Sequence, residues 1–295
     1  MTPPYQRVHV VINPASGQNQ PILNILNDVF HSAGVDWDVT ITHKAGDAAR
    51  QAKESAASGV DLVAAYGGDG TQMEVANGLL GTGVPQAILP GGTGNAMAHE
   101  LNVPLDLREA AGLIVSSANR RAIDLVRSGD KAWMLRAYTG VSAADAASRD
   151  KKDKYGQLAY IQASLKIVTQ MSSVPYVATV DGEVINTEAL ICFILNAGSI
   201  GGVMGMSLPT VGDVDISDGY LDLYAITKEV EPLRSLSKIA LQIENAPAGI
   251  YHWRGKEIKL EADPAQDVWV DGELGGQTPF TASVLPLALE FVVPE

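Results

Sequence analysis

Two glycine-rich segments decide the fold: YGGDGT at residues 66–71 and PGGTGN at residues 90–95. Each follows a short apolar run, at residues 62–65 and 87–89, and each leads into a segment with helical character. Both are therefore predicted to lie at the carboxyl ends of strands, where open α/β sheets bind ligands. Glycine lets backbone N–H groups approach an anion closely, and the N-terminus of the following helix adds further donors. The pattern indicates a site for a phosphate chain.

The sequence around these segments predicts an α/β first half. Strand-like apolar runs at 8–12, 37–42, 61–66 and 86–89 alternate with helix-like segments at 21–32, 47–57, from 72 onward and up to about 115. Strands separated by helical patterns are typical of a doubly wound parallel sheet. We therefore expect a nucleotide-binding α/β domain over residues 1–127.

Beyond residue 127 the pattern changes to that of antiparallel β structure. Three hairpin signals, SGD at 128–130 and VDGE at both 180–183 and 270–273, are flanked by β-branched or aromatic residues. Asp-Gly between such runs is a strong marker of a two-residue turn. Helices are predicted only at 157–170, from apolar spacing, and at 231–244, where a proline suits the first turn. We expect a mainly antiparallel β domain over residues 128–283.

Composition narrows the functional classes. The chain has 295 residues, 46% of them hydrophobic, which is enough for two ordinary domains. Its net charge of −13, from 21 basic and 34 acidic residues, argues against a nucleic-acid partner and against simple electrostatic binding to anionic lipid. The single cysteine, Cys192, cannot form an internal disulfide, which indicates a reducing compartment.

Two stretches bear on membrane association. Residues 1–6 contain no apolar run of the kind found in a secretory signal. The longest uncharged stretch, 189–212, is interrupted by glycines and a proline, so we interpret it as a strand and a loop and not as a membrane span. We expect a cytoplasmic protein with, at most, peripheral contact at the inner face of a membrane.

The glycine segments match neither of the common phosphate-binding spacings. GxxxxGK[ST] and GxGxxG are both absent, which argues against a P-loop NTPase and against a dinucleotide-binding Rossmann site. Asp69 lies between glycines in the first segment. Aspartate is an ordinary acceptor in turns, but a carboxylate beside polyphosphate is repulsive unless a divalent cation or a proton-transfer role offsets it. Asp69 therefore points to metal-assisted chemistry.

Taken together, the motifs resemble the catalytic domain of diacylglycerol kinases and sphingosine kinases, most closely that of soluble bacterial lipid kinases. The resemblance rests on GGDGT (67–71), EVANG (74–78), LPGGTGN (89–95), NPASG (13–17), KYGQLAY (154–160), DGYLD (218–222) and DGE (271–273). It covers nearly the whole chain. It implies an α/β nucleotide-binding domain and a C-terminal β-sandwich with the nucleotide between them, and a return of the last strands, about 284–295, to the first domain.

The resemblance also implies roles for individual residues. The nucleotide would be contacted by Asn13, Ser16, Gly17, Thr42, Gly67, Gly68, Asp69, Gly70, Thr71, Glu74 and Thr93. Thr42 is explained equally well as an ordinary hydroxyl at a strand end. Glu273 matches the general base that takes the proton from the lipid hydroxyl, with Asp69 acting through Mg²⁺ or orienting the base. Since 181–183 is an equally good DGE hairpin, Glu273 is preferred to Glu183 only for its place near the end of the chain.

An acidic cluster, Asp213, Asp215 and Asp218, precedes Gly219. By itself it is typical of a polar turn. The resemblance implies that Asp218, with backbone carbonyls at Asp215 and Tyr220, holds a structural Mg²⁺, and oxygen ligands of this kind suit that ion.

Two features depart from the family pattern. Ala96 stands where many relatives have aspartate, so a role of that carboxylate at the acceptor site is not expected here. The acidic charge of the chain is also unfavourable at an anionic membrane. The one basic cluster, RDKKDK at 149–154, is either a membrane-facing patch or a solvated loop, and we favour the loop.

Three functions remain open from the sequence. The leading one is an ATP-dependent, Mg²⁺-requiring kinase that phosphorylates a hydroxyl of a diacylglycerol-like or long-chain-base lipid. An NAD kinase shares the GGDG loop, although residues 74–78 and 92–95 favour the lipid branch. A regulator that binds nucleotide without catalysis is less favoured because Asp69 and Glu273 are both retained. A homodimer is the general expectation for assembly.

Overall fold

A computed structural model describes residues 3–17, 20–140, 172–198, 214–229 and 249–295. The chain divides into two compact units, Met1–Leu125 with Leu285–Glu295, and Val126–Val284. The helices predicted at 157–170 and 231–244, and the 149–160 region with its basic cluster and KYGQLAY motif, lie outside the described residues.

The first unit is built around a parallel sheet. Its elements are β1 (Arg7–Ile12), α1 (Ile22–Ala33), β2 (Asp36–Ile41), α2 (Asp47–Ala57), β3 (Leu62–Gly67), α3 (Asp69–Leu79), β4 (Gln86–Pro90), α4 (Ala96–Glu100), α5 (Leu107–Ser116) and most of β5 (Arg120–Ser128). The strand order is β2-β1-β3-β4, with parallel pairing throughout. The last residues of β16 (Phe280–Val292) extend it, since Phe291 pairs in parallel with Gln86 of β4.

Helices cover this sheet as in a doubly wound fold. α2 packs against α3, and α1 packs against α5. Every residue of β3 is buried, as expected for a strand covered on both faces. Gly78 of α3 allows the close approach of α2, because a Cβ at this position would overlap the carbonyl oxygen of Ala49. The predicted α/β class of the first half is confirmed.

One helix begins earlier than the sequence predicts. We expected the helix after the first glycine segment to start at Gln72, but α3 starts at Asp69. Gly68 is its N-cap, and Asp69 lies in the first turn, where a carboxylate is stabilised by the positive end of the helix dipole. The first glycine segment is therefore largely a helix N-terminus.

The second unit is antiparallel. Its elements are β6 (Lys131–Trp133), β7 (Arg136–Thr139), β8 (Val174–Val180), β9 (Glu183–Ala189), β10 (Ile191–Leu195), β11 (Leu221–Ile226), β12 (Ile250–Gly255), β13 (Glu257–Ala262), β14 (Asp267–Val270) and β15 (Glu273–Gln277). One sheet has the order β12-β11-β10-β7-β14-β15. Four further strands pair in the order β16-β13-β8-β9, and β6 pairs with β5. The predicted β-sandwich is confirmed.

A row of aromatic rings crosses the six-stranded sheet β12-β11-β10-β7-β14-β15. Phe193, Tyr138 and Trp269 are opposite one another on β10, β7 and β14. The Tyr138 ring centroid lies 5.9 Å from that of Phe193 and 6.5 Å from that of Trp269. Tyr138 and Phe193 are buried, so this row accounts for much of the apolar contact that holds strands together.

Both VDGE motifs form tight hairpin turns. Asp181 and Gly182 have φ of 46° and 90°, and Asp271 and Gly272 have φ of 46° and 95°. Two consecutive positive φ values are those of a type I′ turn, which fits the twist of an antiparallel pair. The turns join β8 to β9 and β14 to β15, as the Asp-Gly signals predict.

The aspartate of each motif also anchors a neighbouring strand. The carboxylate of Asp181 accepts backbone N–H bonds from Lys256 at 2.9 Å and Glu257 at 2.8 Å, where β13 begins. The carboxylate of Asp271 accepts three, from residues 134–136, at 2.9, 3.1 and 2.9 Å, where β7 begins. Burial raises the pKa of Asp271, and the three N–H bonds oppose that rise. These carboxylates are part of the framework of the sandwich.

Replacement of Asp271 by alanine should destabilise the second unit. It leaves three N–H groups without their acceptor, and we expect the free energy of unfolding to fall by about 2–4 kcal/mol. Asp181→Ala releases two N–H groups in a more exposed turn and should cost less. Urea denaturation followed by tryptophan fluorescence measures both variants. A smaller loss for Asp271→Ala than for Asp181→Ala would contradict this interpretation.

Candidate functional site

The candidate site lies at the carboxyl edge of the parallel sheet, where the strand order reverses between β1 and β3. Asn13 follows β1, Thr42 follows β2, and Gly67 ends β3. The Asn13 N–H donates to the Tyr66 carbonyl at 2.9 Å, and the Gly91 N–H donates to the Gly67 carbonyl at 3.0 Å. Ligands of open α/β folds bind at such a switch point. The first unit thus brings the predicted loops to one edge.

The two glycine segments touch backbone to backbone. A Cβ built on Gly92 would lie 2.5 Å from the Cα of Gly68, which is closer than real Cβ contacts come. A Cβ on Gly67 would lie 2.5 Å from the side chain of Thr71. A side chain is therefore excluded at Gly67 and at Gly92, and the half-buried Gly68 and Gly92 form one main-chain surface.

Asp69 joins the beginnings of two helices. It is the first residue of α3, and its Oδ1 accepts the backbone N–H of Met97, in the first turn of α4, at 3.1 Å. Of the residues that the structure describes, only Met97 donates a hydrogen bond to this carboxylate. Gly70 follows in the same half-buried turn, and Ala96, at the departure from the family pattern, is buried. Asp69 thus links the two glycine segments through Oδ1, and its Oδ2 can bind another partner.

Asn95 closes the second segment into a loop. Its Oδ1 accepts the N–H of Gly92 at 2.9 Å, and its Nδ2 donates to the Gly92 carbonyl at 2.8 Å. Asn95 has φ of 45°, a left-handed conformation that asparagine tolerates better than most residues. The ring leaves Thr93 and Gly94 exposed at the tip. Asn95 is part of the GGTGN motif, but the sequence alone predicts no separate role for it.

Asn13 and Thr71 are bonded to each other. Asn13 Nδ2 donates to Thr71 Oγ1 at 3.0 Å, while Asn13 Oδ1 accepts the N–H of Ala15 at 3.0 Å. Thr71 is buried. Both side chains fix the loop after β1 against the start of α3, so their predicted contact with nucleotide remains a prediction.

The side chain of Tyr66 lies beneath the loops. Its ring is fully buried, and its hydroxyl accepts a bond from Gln20 Nε2 at 3.0 Å. A Cβ on Gly91 would lie 2.9 Å from Tyr66 Cζ, and one on Gly17, which has φ of 101°, would overlap the hydroxyl. Ser16, beside Gly17, is half-buried. The tyrosine requires glycine at both positions, a dependence that no local sequence pattern reveals.

Glu74 faces the loop between β2 and α2. Its Oε2 accepts backbone N–H bonds from Gly46 at 3.0 Å and Ala48 at 3.2 Å. In the same loop Asp47 accepts N–H bonds from His43 and Lys44, and the bond from His43 is the largest cause of its lowered pKa. Glu74 therefore stabilises the start of α2, and a nucleotide contact by this side chain stays a prediction.

In the second unit, Glu273 begins a strand that contains a β-bulge. Its neighbour Leu274 pairs with Trp269, whereas Gly276 pairs with Val268, so Gly275 is the extra residue. Glu183, in contrast, begins β9, which pairs with β8 in an uninterrupted register from Val174 to Val180. Both glutamates are exposed. Bulges re-aim side chains and are frequent beside active sites, so the bulge distinguishes Glu273 from Glu183.

The donor set of the acidic turn does not fit the structural Mg²⁺ that the resemblance implies. Asp218 Oδ1 accepts the N–H of Tyr220 at 2.9 Å, and Asp218 Oδ2 forms an ion pair with Arg254. Asp215 Oδ1 accepts the N–H of Ser217 at 2.9 Å. No three His, Cys, Asp or Glu side chains converge among the described residues, which exclude Asp213. Both oxygens of the Asp218 carboxylate therefore have protein partners, and the metal role of Asp215, Asp218 and Tyr220 stays a prediction.

Comparison with known proteins agrees with this architecture. Residues 7–128 match the diacylglycerol kinase catalytic domain, and residues 136–293 match the YegS C-terminal NAD kinase beta sandwich-like domain. The chain belongs to the diacylglycerol kinase-like family defined by these two domains. Both the predicted resemblance and the predicted fold class are confirmed.

Individual relatives extend over most of the chain. A Staphylococcus haemolyticus protein named "putative lipid kinase" is 29% identical over 80% of this chain and 77% of its own length. An uncharacterized Synechocystis protein is 28% identical over 97% of this chain and 70% of its own. The crystal structure of a "putative diacylglycerol kinase" from Bacillus anthracis is 27% identical, with a TM-score of 0.82 over 98% of both chains. The similarity supports a kinase of lipid-kinase type.

Gly92→Ala should separate the two glycine segments. The added Cβ meets the main chain of Gly68, which cannot move without moving the start of α3. We expect ATP affinity to fall at least about tenfold, equivalent to about 1.4 kcal/mol, with the fold retained. Calorimetric titration with ATP measures this. Gly112→Ala is the matched control, because it lies in α5, outside both glycine segments, and its Cβ would have nothing within 4 Å. Equal ATP affinity in both variants would contradict the role of the contact.

Proposed function

We propose that this protein is an ATP-dependent lipid kinase that transfers the γ-phosphoryl group of MgATP to a hydroxyl of a diacylglycerol-like or long-chain-base lipid. The observation that carries the proposal is the single main-chain surface formed by Gly68 and Gly92 at the switch point of the parallel sheet. Family membership and the names of relatives support the kinase class.

The first unit binds the nucleotide in this proposal. The phosphates lie against the main chain of residues 68–70, at the N-terminus of α3, and of residues 93–94, at the tip of the second segment, because the N–H groups of Thr71, Gly91 and Gly92 already donate within the loops. The exposed Thr93 and half-buried Ser16 add hydroxyl donors. Asp69 accepts from Met97 through Oδ1, so its Oδ2 is the oxygen that can meet the Mg²⁺ carried by ATP. When bound, that ion neutralises charge on the β- and γ-phosphates.

Glu273 acts as the general base. Its carboxylate is solvent-exposed, it is placed by the rigid Asp271 turn, and it precedes the bulge at Gly275. It accepts the proton of the acceptor hydroxyl as the oxygen bonds to the γ-phosphorus and the bond from that phosphorus to the β-phosphate bridging oxygen breaks. The products are ADP and a lipid phosphate.

A lipid acceptor is favoured over NAD. The EVANG and GTGN motifs resemble the lipid branch, and the relatives' names agree with it.

No helix among the described residues is long and apolar enough to cross a membrane. We infer that the enzyme works from the cytoplasm and reaches its lipid by peripheral contact.

The test is phosphoryl transfer from γ-labelled ATP, with Mg²⁺, to diacylglycerol and a long-chain base in mixed micelles, with NAD as a parallel acceptor. We expect a labelled lipid product and none from NAD. Within that assay, Glu273→Gln should bind ATP normally and lose about 10²- to 10⁴-fold in kcat. Glu183→Gln, at the same position of the twin hairpin, should match the wild type.

Three results would each count against the proposal. Labelling of NAD alone would reassign the acceptor. Binding of ATP without transfer to any acceptor would favour a regulator. Equal turnover in Glu273→Gln and Glu183→Gln would remove the general-base assignment.

A further inference from the structure

We propose that Arg254 is the resident cation of the turn at residues 214–220 and takes the place of the structural Mg²⁺ implied by the family resemblance. The inference concerns the second unit alone and does not depend on the proposed kinase activity.

Arg254 reaches the turn from the neighbouring strand. It lies on β12, opposite Asp222 of β11, and Tyr220 immediately precedes β11. Its guanidinium forms the ion pair with Asp218 Oδ2 and lies over the Tyr220 ring, 4.6 Å from the centroid. One side chain thus contacts two of the three residues that the resemblance assigns to a metal, Asp218 through its carboxylate and Tyr220 through its ring. A planar guanidinium suits this double task, because it can donate to a carboxylate and stack on an aromatic face at once.

A second cation strengthens the positive charge at the turn. Lys256 Nζ lies 5.3 Å from the centroid of the same Tyr220 ring. The backbone N–H of Lys256 donates to the carboxylate of Asp181, so the first VDGE hairpin positions the main chain from which this side chain extends.

The two cations disfavour a divalent ion at the Asp218 carboxylate, against the negative charge that Asp215 and Asp222 add nearby. Asp218 is the carboxylate that the metal would need, and its two oxygens are already engaged by Arg254 and the Tyr220 N–H. An added Mg²⁺ would lie next to a guanidinium and near an ammonium, and like charges at such separations repel. Displacement of Arg254 would also remove its stacking on Tyr220. The cation of this turn is therefore supplied by the protein itself, through Arg254.

The experiment compares thermal unfolding of nucleotide-free protein with and without 5 mM Mg²⁺, at ionic strength matched with NaCl, and adds titration calorimetry with Mg²⁺. Removal of the resident cation in Arg254→Gln should lower Tm by about 2–5 °C, and Mg²⁺ should restore at least about half of that loss. Arg254→Lys keeps a cation and should not respond to Mg²⁺. Lys256→Gln leaves the Asp218 pair intact and should not respond either.

Measurements on the wild-type protein test the proposal even if a variant fails to fold. Its Tm should be the same in EDTA and in Mg²⁺, with no saturable heat of Mg²⁺ binding. A saturable Tm rise of several degrees in the wild type that is lost in Asp218→Asn would overturn the proposal. So would a folded Arg254→Gln protein that gains nothing from Mg²⁺.

Discussion

The close contact between Gly68 and Gly92 is the constraint on which the first unit depends. It places the start of α3 and the loop before α4 side by side at the edge of the sheet, and a Cβ at Gly92 would clash with the main chain of Gly68. The Asp69–Met97 bond then fixes the two segments in one arrangement. Tyr66 supports them from below and sets the size limit at Gly17 and Gly91. A site made of main chain needs this rigidity, because its donors cannot rotate toward a ligand as side chains do.

Carboxylates serve a common structural purpose throughout the chain. They accept backbone N–H groups where strands or helices begin: Asp61 at β1, Asp69 at α4, Asp106 at α5, Asp181 at β13 and Asp271 at β7. Charged acceptors make stronger hydrogen bonds than neutral ones, and they satisfy donors that have no partner within their own element. Part of the net charge of −13 is thus explained by internal architecture and not by a partner.

Local patterns predicted the elements, and nonlocal contacts explain what was missed. The fold class could be predicted from the alternating strands and helices, the Asp-Gly turns and the family motifs. The edge of the sheet at which the site lies could be predicted from the glycine segments. The sequence did not show that Glu74 would bond to Gly46 or that Asp271 would bond to residues 134–136, because these partners are distant along the chain. The ion pair of Asp218 with Arg254 was hidden for the same reason, since Arg254 is 36 residues away.

The central claim is that both glycine segments bind one phosphate chain. Hydrogen–deuterium exchange of the backbone amides, measured with and without saturating MgATP, tests it directly. Residues 67–71 and 91–97 should gain protection from exchange together, to a similar degree and at the same ATP concentration. The protection of the twin turns at 181–182 and 271–272 should not change. Protection of one segment without the other, or of neither, would contradict a shared phosphate site.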